Sequence, residues 1–297
     1  QSLSANKNIL HTFHIMKIIL FLTIAMTALS VNAQQTVKVS YNVSKPIVMQ
    51  SGISQSKMTL VSSADKSLYY NTTSMYVDSL SSTPEGKAEL KRLLGMESVS
   101  IDENGQVKMN INENIHKKEP MYVAKNFADG SLSVFDKWYN EDGTYREPLD
   151  EMKWTIVEDS TKKVLGYECI MATTDYHGRT WKAWFTPEIP LHDGPWKFRN
   201  LPGLILKAEA PDGAFSFEAT GIENQTGEFP ELYGPEGYQQ VDRKKALAAH
   251  EKYLDNLENH LKAQYGPKAG LIVVDNNGKV VEQRKFDRQK DAIETDY

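Results

Sequence analysis

Cysteine is almost missing from this chain of 297 residues, because Cys169 is the only one. A single cysteine excludes an intramolecular disulfide and any cluster of cysteines around a metal. The Gly-x-Ser-x-Gly sequence of many serine hydrolases, the Walker phosphate loop and the dinucleotide-binding fingerprint are missing too. The sequence therefore predicts no set of catalytic residues and no cofactor.

Basic residues are in the minority, since 34 Lys and Arg stand against 39 Asp and Glu, a net charge of −5. They form no basic stripe, which argues against a surface for nucleic acid. Long apolar runs are scarce as well. After residue 26 no run approaches the roughly 20 apolar residues that a membrane helix needs. We therefore expect no transmembrane span in the remainder of the chain.

The apolar run near the beginning has the pattern of a secretory leader. A lysine follows Met16, the apolar run covers 18–26, and small residues at 31–33 suit a cleavage site. That run is too short to span a bilayer. We therefore predict a signal peptide at 16–33 and treat 1–15 as an upstream or non-native extension.

The predicted leader also bears on whether the mature chain carries a lipid anchor. No cysteine follows the predicted cleavage site directly, so the acylated N-terminus of a bacterial lipoprotein is not expected. A chain of this length can bury a sizeable core without disulfides. We expect a periplasmic or secreted protein with a single β-rich domain over 34–297.

Alternation of apolar and polar residues predicts strands through most of this domain. Val37, Val39 and Tyr41 fall on one face of an extended segment, which is the period of a half-buried strand. Residues 154–186 have the pattern of three antiparallel strands joined by short turns. Runs that flank Gly-containing turns predict further hairpins, at 99–111, 204–220 and 271–281.

Two segments have helical signals instead. A short helix is predicted near 83–94, with a hydroxyl cap, an early proline and a glycine after it. A longer one is predicted near 242–264, where apolar residues recur every three or four positions, and His250 lies on that stripe. The predicted class is α+β, mostly antiparallel β: a curved sheet or half-barrel of meandering hairpins with these two helices.

The segment Asn200-Leu201-Pro202-Gly203-Leu204-Ile205 resembles the signature of the GLPGLI family, exported proteins of Gram-negative bacteria. Further similarity lies in 166–169, 178–186 and 291–294, and the family-like core covers 153–222. Asn200 replaces the first glycine of the signature, and asparagine tolerates positive φ less well. The resemblance implies export and supplies no catalytic residues, because the activity of the family is not established.

Aromatic residues concentrate around the predicted strand 180–186 and the proline-rich loop after it. Trp and Tyr often line apolar pockets, so we treat this set as a candidate ligand-binding site, with an ordinary core as the alternative. Its members are Tyr176, Trp181, Trp184, Phe185, Trp196, Phe198 and Pro202.

Histidines near the same strand raise the alternative of a metal site. His177, His192 and Asp193 lie in loops that bracket the strand, and together with a carboxylate they could bind Zn²⁺ or Cu²⁺. Surface histidines are the simpler interpretation. Cys169 lies in a predicted strand interior, where a free cysteine behaves as a small hydrophobe.

These observations favour an exported β-rich protein that binds or carries an apolar small molecule, lipid or peptide without catalysis. One alternative is an accessory protein of an envelope or outer-membrane transport complex, which would bind a partner through an edge strand or the 187–200 loop. A second alternative is a metal-dependent or other hydrolase with an unrecognised site.

Overall fold

The computed structural model describes residues 36–49, 51–101, 107–110, 112–117, 119–138, 141–267 and 284–297. The predicted leader, the extension before it and the predicted hairpin at 271–281 lie outside the described residues, as does the turn of the 99–111 hairpin. In the described part of the chain, no helix has the length and apolar character to cross a membrane.

The described residues form fourteen strands. Their bounds are β1 Thr36–Pro46, β2 Ile53–Ser62, β3 Lys66–Tyr70, β4 Ser98–Ile101, β5 Val107–Asn110, β6 Tyr122–Asn126, β7 Ser131–Trp138, β8 Glu141–Pro148, β9 Thr155–Val164, β10 Tyr167–Tyr176, β11 Arg179–Thr186, β12 Leu204–Glu209, β13 Ser216–Gln225 and β14 Gln239–Gln240.

Five helices accompany the strands in the described part of the chain. They are α1 Thr72–Ser81, α2 Pro84–Leu94, α3 Arg243–Asp255, α4 Leu257–Tyr265 and the short α5 Arg288–Asp291.

Twelve of the strands form one open sheet, in the order β14-β8-β7-β6-β3-β2-β1-β13-β12-β11-β10-β9, and β4 pairs with β5 separately. Neighbouring strands are antiparallel except for β14, which lies parallel to β8. The predicted class, α+β with a mostly antiparallel sheet, is confirmed. Most neighbours are joined by short turns, but the central pair β1–β13 joins Thr36 to Gln225. Local patterns in the sequence do not reveal such a pairing.

The proline-rich segment between β11 and β12 is a loop, as predicted, and its second half is buried. Lys125 on β6 donates through Nζ to Asp193 Oδ1 at 2.5 Å and to Phe198 O at 2.9 Å. Ile205, at the start of β12, donates its N–H to Asp193 O. The loop therefore lies over one face of the sheet and connects strands far apart in the sheet order.

The turn that resembles the family signature uses two unusual backbone positions. Asn200 has φ +67°, and its side chain donates to Leu149 O at 2.7 Å. A Cβ atom added to Gly203 would lie 2.1 Å from Thr186 O. The first position thus adopts the left-handed conformation for which glycine is the least strained residue, and the second has no room for a side chain.

The helices differ from the prediction in two respects. The predicted helix near 83–94 is α2, capped by the Thr83 hydroxyl, but α1 was not predicted because its serine- and threonine-rich sequence has weak helix propensity.

The prediction of a single helix over 242–264 is wrong in one detail. Asn256 interrupts it with φ −109° and ψ 14°, and its side chain donates to Lys252 O. Asparagine competes with the helix for backbone hydrogen bonds in this way.

Candidate functional site

Three of the predicted aromatic site residues are fully buried against one another. The side chains of Trp181, Trp196 and Phe198 are 0% exposed. The ring centroids of Trp181 and Phe198 lie 4.9 Å apart, and those of Trp196 and Phe198 lie 5.1 Å apart. Phe185 is also buried. Packing between the sheet and the loop accounts for these side chains without a ligand.

The remaining aromatic candidates lie in other surroundings. Trp184 is on the opposite face of β11, where the ammonium groups of Lys162 and Lys207 lie 4.6 and 5.8 Å from its ring centroid. Pro202 is exposed in its turn, and Tyr176 lines a cleft beside His177. The structure thus brings together only some of the candidate ligand-binding residues, and ligand binding by any of them stays a prediction.

His177, His192 and Asp193 do not form one cluster in the structure. Asp193 is buried and paired with Lys125, and His192 lines a cleft with Leu149 and Pro190. His177 instead lies among carboxylates from distant parts of the chain. Its Nε2 is 3.1 Å from Glu147 Oε1, and its Nδ1 is 3.3 Å from Asp296 Oδ2.

His177 belongs to a group of ionisable side chains that we call the charged centre. The members come from β8, from the β10–β11 turn, from the proline-rich loop, from α3 and from the C-terminal segment. They are Glu147, His177, Lys197, Arg243, Glu294 and Asp296.

Two cations hold three carboxylates together in the charged centre. Lys197 Nζ lies 2.7 Å from Glu147 Oε2 and 2.7 Å from Glu294 Oε1. Arg243 reaches Glu294 Oε2 at 2.5 Å and Asp296 Oδ2 at 2.7 Å. Since Lys197 is 0% exposed, these pairs are shielded from the water that weakens surface ion pairs.

The turn that carries His177 also holds the C-terminal segment. His177 and Gly178 have φ +52° and +79°, as in the type I′ turns that suit the twist of a hairpin. Thr295 donates its N–H to His177 O at 2.9 Å. A Cβ atom on Gly178 would lie 2.3 Å from Thr295 Oγ1, so only glycine lets the segment approach this closely.

The donor atoms of His177, Glu294 and Asp296 all lie within 4.8 Å of one another, which is close enough to surround a metal ion. However, the guanidinium of Arg243 already donates to both carboxylates, bidentately to Asp296. A divalent cation would have to displace that positive charge. The geometry therefore favours an ion-pair clasp that fixes the C-terminal segment to the sheet.

The clasp predicts how stability depends on pH. Burial alone would raise the pKa of Glu147, but a hydrogen bond from His177 and the charge of Lys197 lower it to about 2. In the unfolded chain a glutamate titrates near pH 4.3. Ionised Glu147 therefore stabilises the fold above about pH 4.3, and that contribution, at most about 3 kcal/mol, is lost as the pH falls towards 2.

Urea unfolding of the native protein and of the Glu147→Gln variant, measured from pH 7 down to pH 2.5, checks this. The variant should be the less stable protein at pH 7, and the gap should narrow below pH 4.3. A gap that stays constant over the whole range would show that the ionised carboxylate has no special role.

An apolar cleft lies next to the charged centre, between α3 and the edge of the sheet. Its volume is about 790 Å³, within the range of ligand pockets. Trp138 lies on one side, and α3 and the start of α4 lie on the other. The apolar and aromatic residues that line it include Trp138, Val241, Ala246, Ala249, His250 and Tyr253.

The local sequence explains why this cleft exists. Val241 follows β14 and donates its N–H to Thr144 O at 2.8 Å, which leads the chain across the sheet edge into α3. A Cβ atom on Gly143 would lie 2.9 Å from the ring of Trp138, so the glycine lets this ring lie against β8. Of the α3 residues, only Ala246 is buried, whereas Ala249 is exposed and Tyr253 is half-buried where they line the cleft.

His250 on α3 also lines this cleft. Its Nδ1 is shielded from solvent and has no hydrogen-bond partner among the described residues. Burial lowers the pKa of His250, which favours the neutral ring. The sequence predicted that His250 lies on an amphipathic stripe. It could not predict which residues of α3 line the cleft, because that depends on how the helix packs against the sheet.

A protein-family model described as a protein of unknown function (Porph_ging) matches residues 176–207. That range contains the His177 turn, the proline-rich loop and the segment that resembles the GLPGLI signature. The match covers a small part of the chain. A comparison of the sequence with curated proteins gives no match.

Three solved structures illustrate the structural similarity. PNGF-II is 18% identical with a TM-score of 0.48, over 74% of this chain and 33% of that one. The MucA/MucB complex of Pseudomonas aeruginosa is 10% identical with a TM-score of 0.26, over 67% of this chain and 55% of that one. A LolA superfamily protein of Nitrosomonas europaea is 6% identical with a TM-score of 0.24, over 67% and 88%. The chain thus spans about a third of PNGF-II, and at these scores the similarity carries no argument about function.

Proposed function

We propose that this chain is an exported binding protein that holds an apolar small molecule or lipid chain in the cleft between α3 and the sheet edge. The observation that supports this most directly is the apolar lining of the cleft, in which Trp138 lies opposite Ala246, Ala249 and Tyr253 of α3. Apolar side chains gain free energy when a ligand removes them from water, roughly 25 cal/mol for each Å².

Neither Cys169 nor the charged centre supports a catalytic role. Burial raises the pKa of Cys169 to about 11, so its thiol stays protonated near neutral pH and is a poor nucleophile. The carboxylates beside His177 are engaged by Lys197 and Arg243. A binding role needs none of these groups to react.

A substitution that fills the cleft tests the proposal. Ala248 and Ala249 are both exposed, but only Ala249 lines the cleft. Ala249→Trp should weaken binding of palmitate and of 1-anilinonaphthalene-8-sulfonate at least tenfold, because the indole takes the space of the ligand. Ala248→Trp adds the same side chain outside the cleft and should leave the affinity unchanged. Isothermal titration calorimetry gives both values.

Native mass spectrometry of the protein purified from the periplasm supplies the independent readout. A retained lipid or other apolar molecule should appear as added mass in the wild type and be lost in the Ala249→Trp variant. Equal probe affinities in the two tryptophan variants, or a wild type that neither retains a molecule nor binds a probe, would overturn the proposal.

A further inference from the structure

The charged side chains that line the cleft between α3 and the sheet edge differ in sign from one side to the other. Glu141 and Asp142 line it from the start of β8, and Lys245 and Lys252 line it from α3. All four residues are exposed. The strand side of the cleft therefore presents negative charge to a ligand, and the helix side presents positive charge.

The two lysines lie along one stripe of α3. Positions 245 and 252 are two turns apart, which is about 10.5 Å along a helix axis. Ala249 lies between them at the spacing of the same stripe, and it lines the cleft as well. The two lysine side chains thus border the apolar lining of the cleft.

Glu141 supplies the carboxylate on the strand side. It pairs with Trp138 in the β7–β8 ladder, and residues directly opposite each other in such a pair project from the same face of the sheet. Asp142, the next residue, projects from the other face. A third acid of the cleft, Asp242, caps α3 by accepting a hydrogen bond from the Lys245 N–H at 2.9 Å. Glu141 is therefore the acidic side chain that shares a face with Trp138.

These charges are not neutralised within the described part of the chain. There, Glu141, Lys245 and Lys252 make no ion pair, whereas Glu251, the neighbour of Lys252, pairs with Arg288 at 2.7 Å. The acid next to Lys252 is thus engaged by another cation. A charged group of a ligand can bind Glu141 and the two lysines without first breaking an ion pair with these residues.

We propose that the ligand of this cleft is a zwitterionic amphiphile, whose cationic group lies beside Glu141 and whose anionic group lies beside Lys245 and Lys252. This inference rests on the proposed function, because the apolar lining of the cleft has to hold the tail. A head group with one negative charge suits the lysines but is repelled by Glu141, and one with a positive charge has the opposite difficulty. A zwitterion is complementary to both sides.

Four probes with the same twelve-carbon chain and different head groups test the proposal. They are dodecylphosphocholine, laurate, dodecyltrimethylammonium and dodecyl maltoside, each below its critical micelle concentration, with isothermal titration calorimetry in low salt as the measurement. Dodecylphosphocholine should bind the wild type at least tenfold more tightly than any of the other three. E141Q should weaken binding of dodecylphosphocholine and dodecyltrimethylammonium but not of laurate. K245Q/K252Q should weaken binding of dodecylphosphocholine and laurate but not of dodecyltrimethylammonium.

Matched controls separate this effect from a change in net charge. Glu158 on β9 and Lys87 and Lys91 on α2 are exposed and do not line the cleft. E158Q and K87Q/K91Q change the net charge as the two cleft variants do and should change no affinity. Thermal unfolding followed by circular dichroism confirms that each variant is folded.

The outcomes distinguish this inference from the proposed function. Equal affinities for the four probes, or cleft variants that bind all of them like the wild type, would overturn the zwitterionic head group and leave an apolar cleft that binds the chain. If the wild type binds none of the four, both the head group and the proposed function are wrong.

Discussion

Replacing Glu294 with alanine should destabilise the protein by about 3–5 kcal/mol, because it removes one partner from a buried group of ion pairs. Glu294 is 3% exposed and lies 2.5 Å from Arg243 and 2.7 Å from Lys197. Without it, Lys197 stays buried with a single carboxylate partner, Glu147. The free energy of unfolding, measured in urea at pH 7, gives the loss directly.

Glu223 provides the control for this prediction. It makes an ion pair with Lys38 at 3.6 Å, and its side chain is 64% exposed. Glu223→Ala should change the free energy of unfolding by less than about 0.5 kcal/mol, as is usual for exposed pairs. If both substitutions have the same small effect, the charged centre is not a clasp.

Trp181→Ala should be comparably damaging, with an expected loss of about 3–5 kcal/mol. The ring is fully buried between Trp196, Phe198 and Phe217, and its centroid lies 5.7 Å from that of Trp196. The substitution leaves a large cavity that rigid neighbouring rings cannot fill. Urea unfolding measures the loss.

Trp184 is the matched control, since it is the same residue type on the other face of the same strand. It is 9% exposed and covered by lysine side chains, so Trp184→Ala should cost less than half as much. The sequence also predicts that Trp184 contributes to ligand capture. If so, Trp184→Ala should weaken probe binding more than it weakens stability, whereas an equal loss of both would leave it only a packing role.

Local features of the fold could be predicted from the sequence because they depend on neighbouring residues. The hairpin 204–220 follows from a proline-glycine turn, alternating apolar residues and a second glycine turn. The α2 helix follows from its Thr83 cap and the glycine after it. In each case the deciding contacts lie within a few residues.

The contacts that build the sites are long-range, and no local pattern contains them. His177 lies 119 positions before Asp296, to which its Nδ1 is hydrogen-bonded. Lys125 reaches Asp193 across 68 positions. Both sets of residues could be read from the sequence as ordinary surface charges. The expectation that Asn200 stands where glycine is preferred came from the resemblance to the GLPGLI signature, and the structure gives that position φ +67°.

The pairing of β1 with β13 has a consequence for the order in which the protein folds. The middle of the sheet joins Thr36 to Gln225, so the first described strand has no neighbour on that side until almost 190 further residues have been made. Chains dominated by such distant contacts fold slowly. The middle of the sheet is therefore completed late, only after β13 has been made.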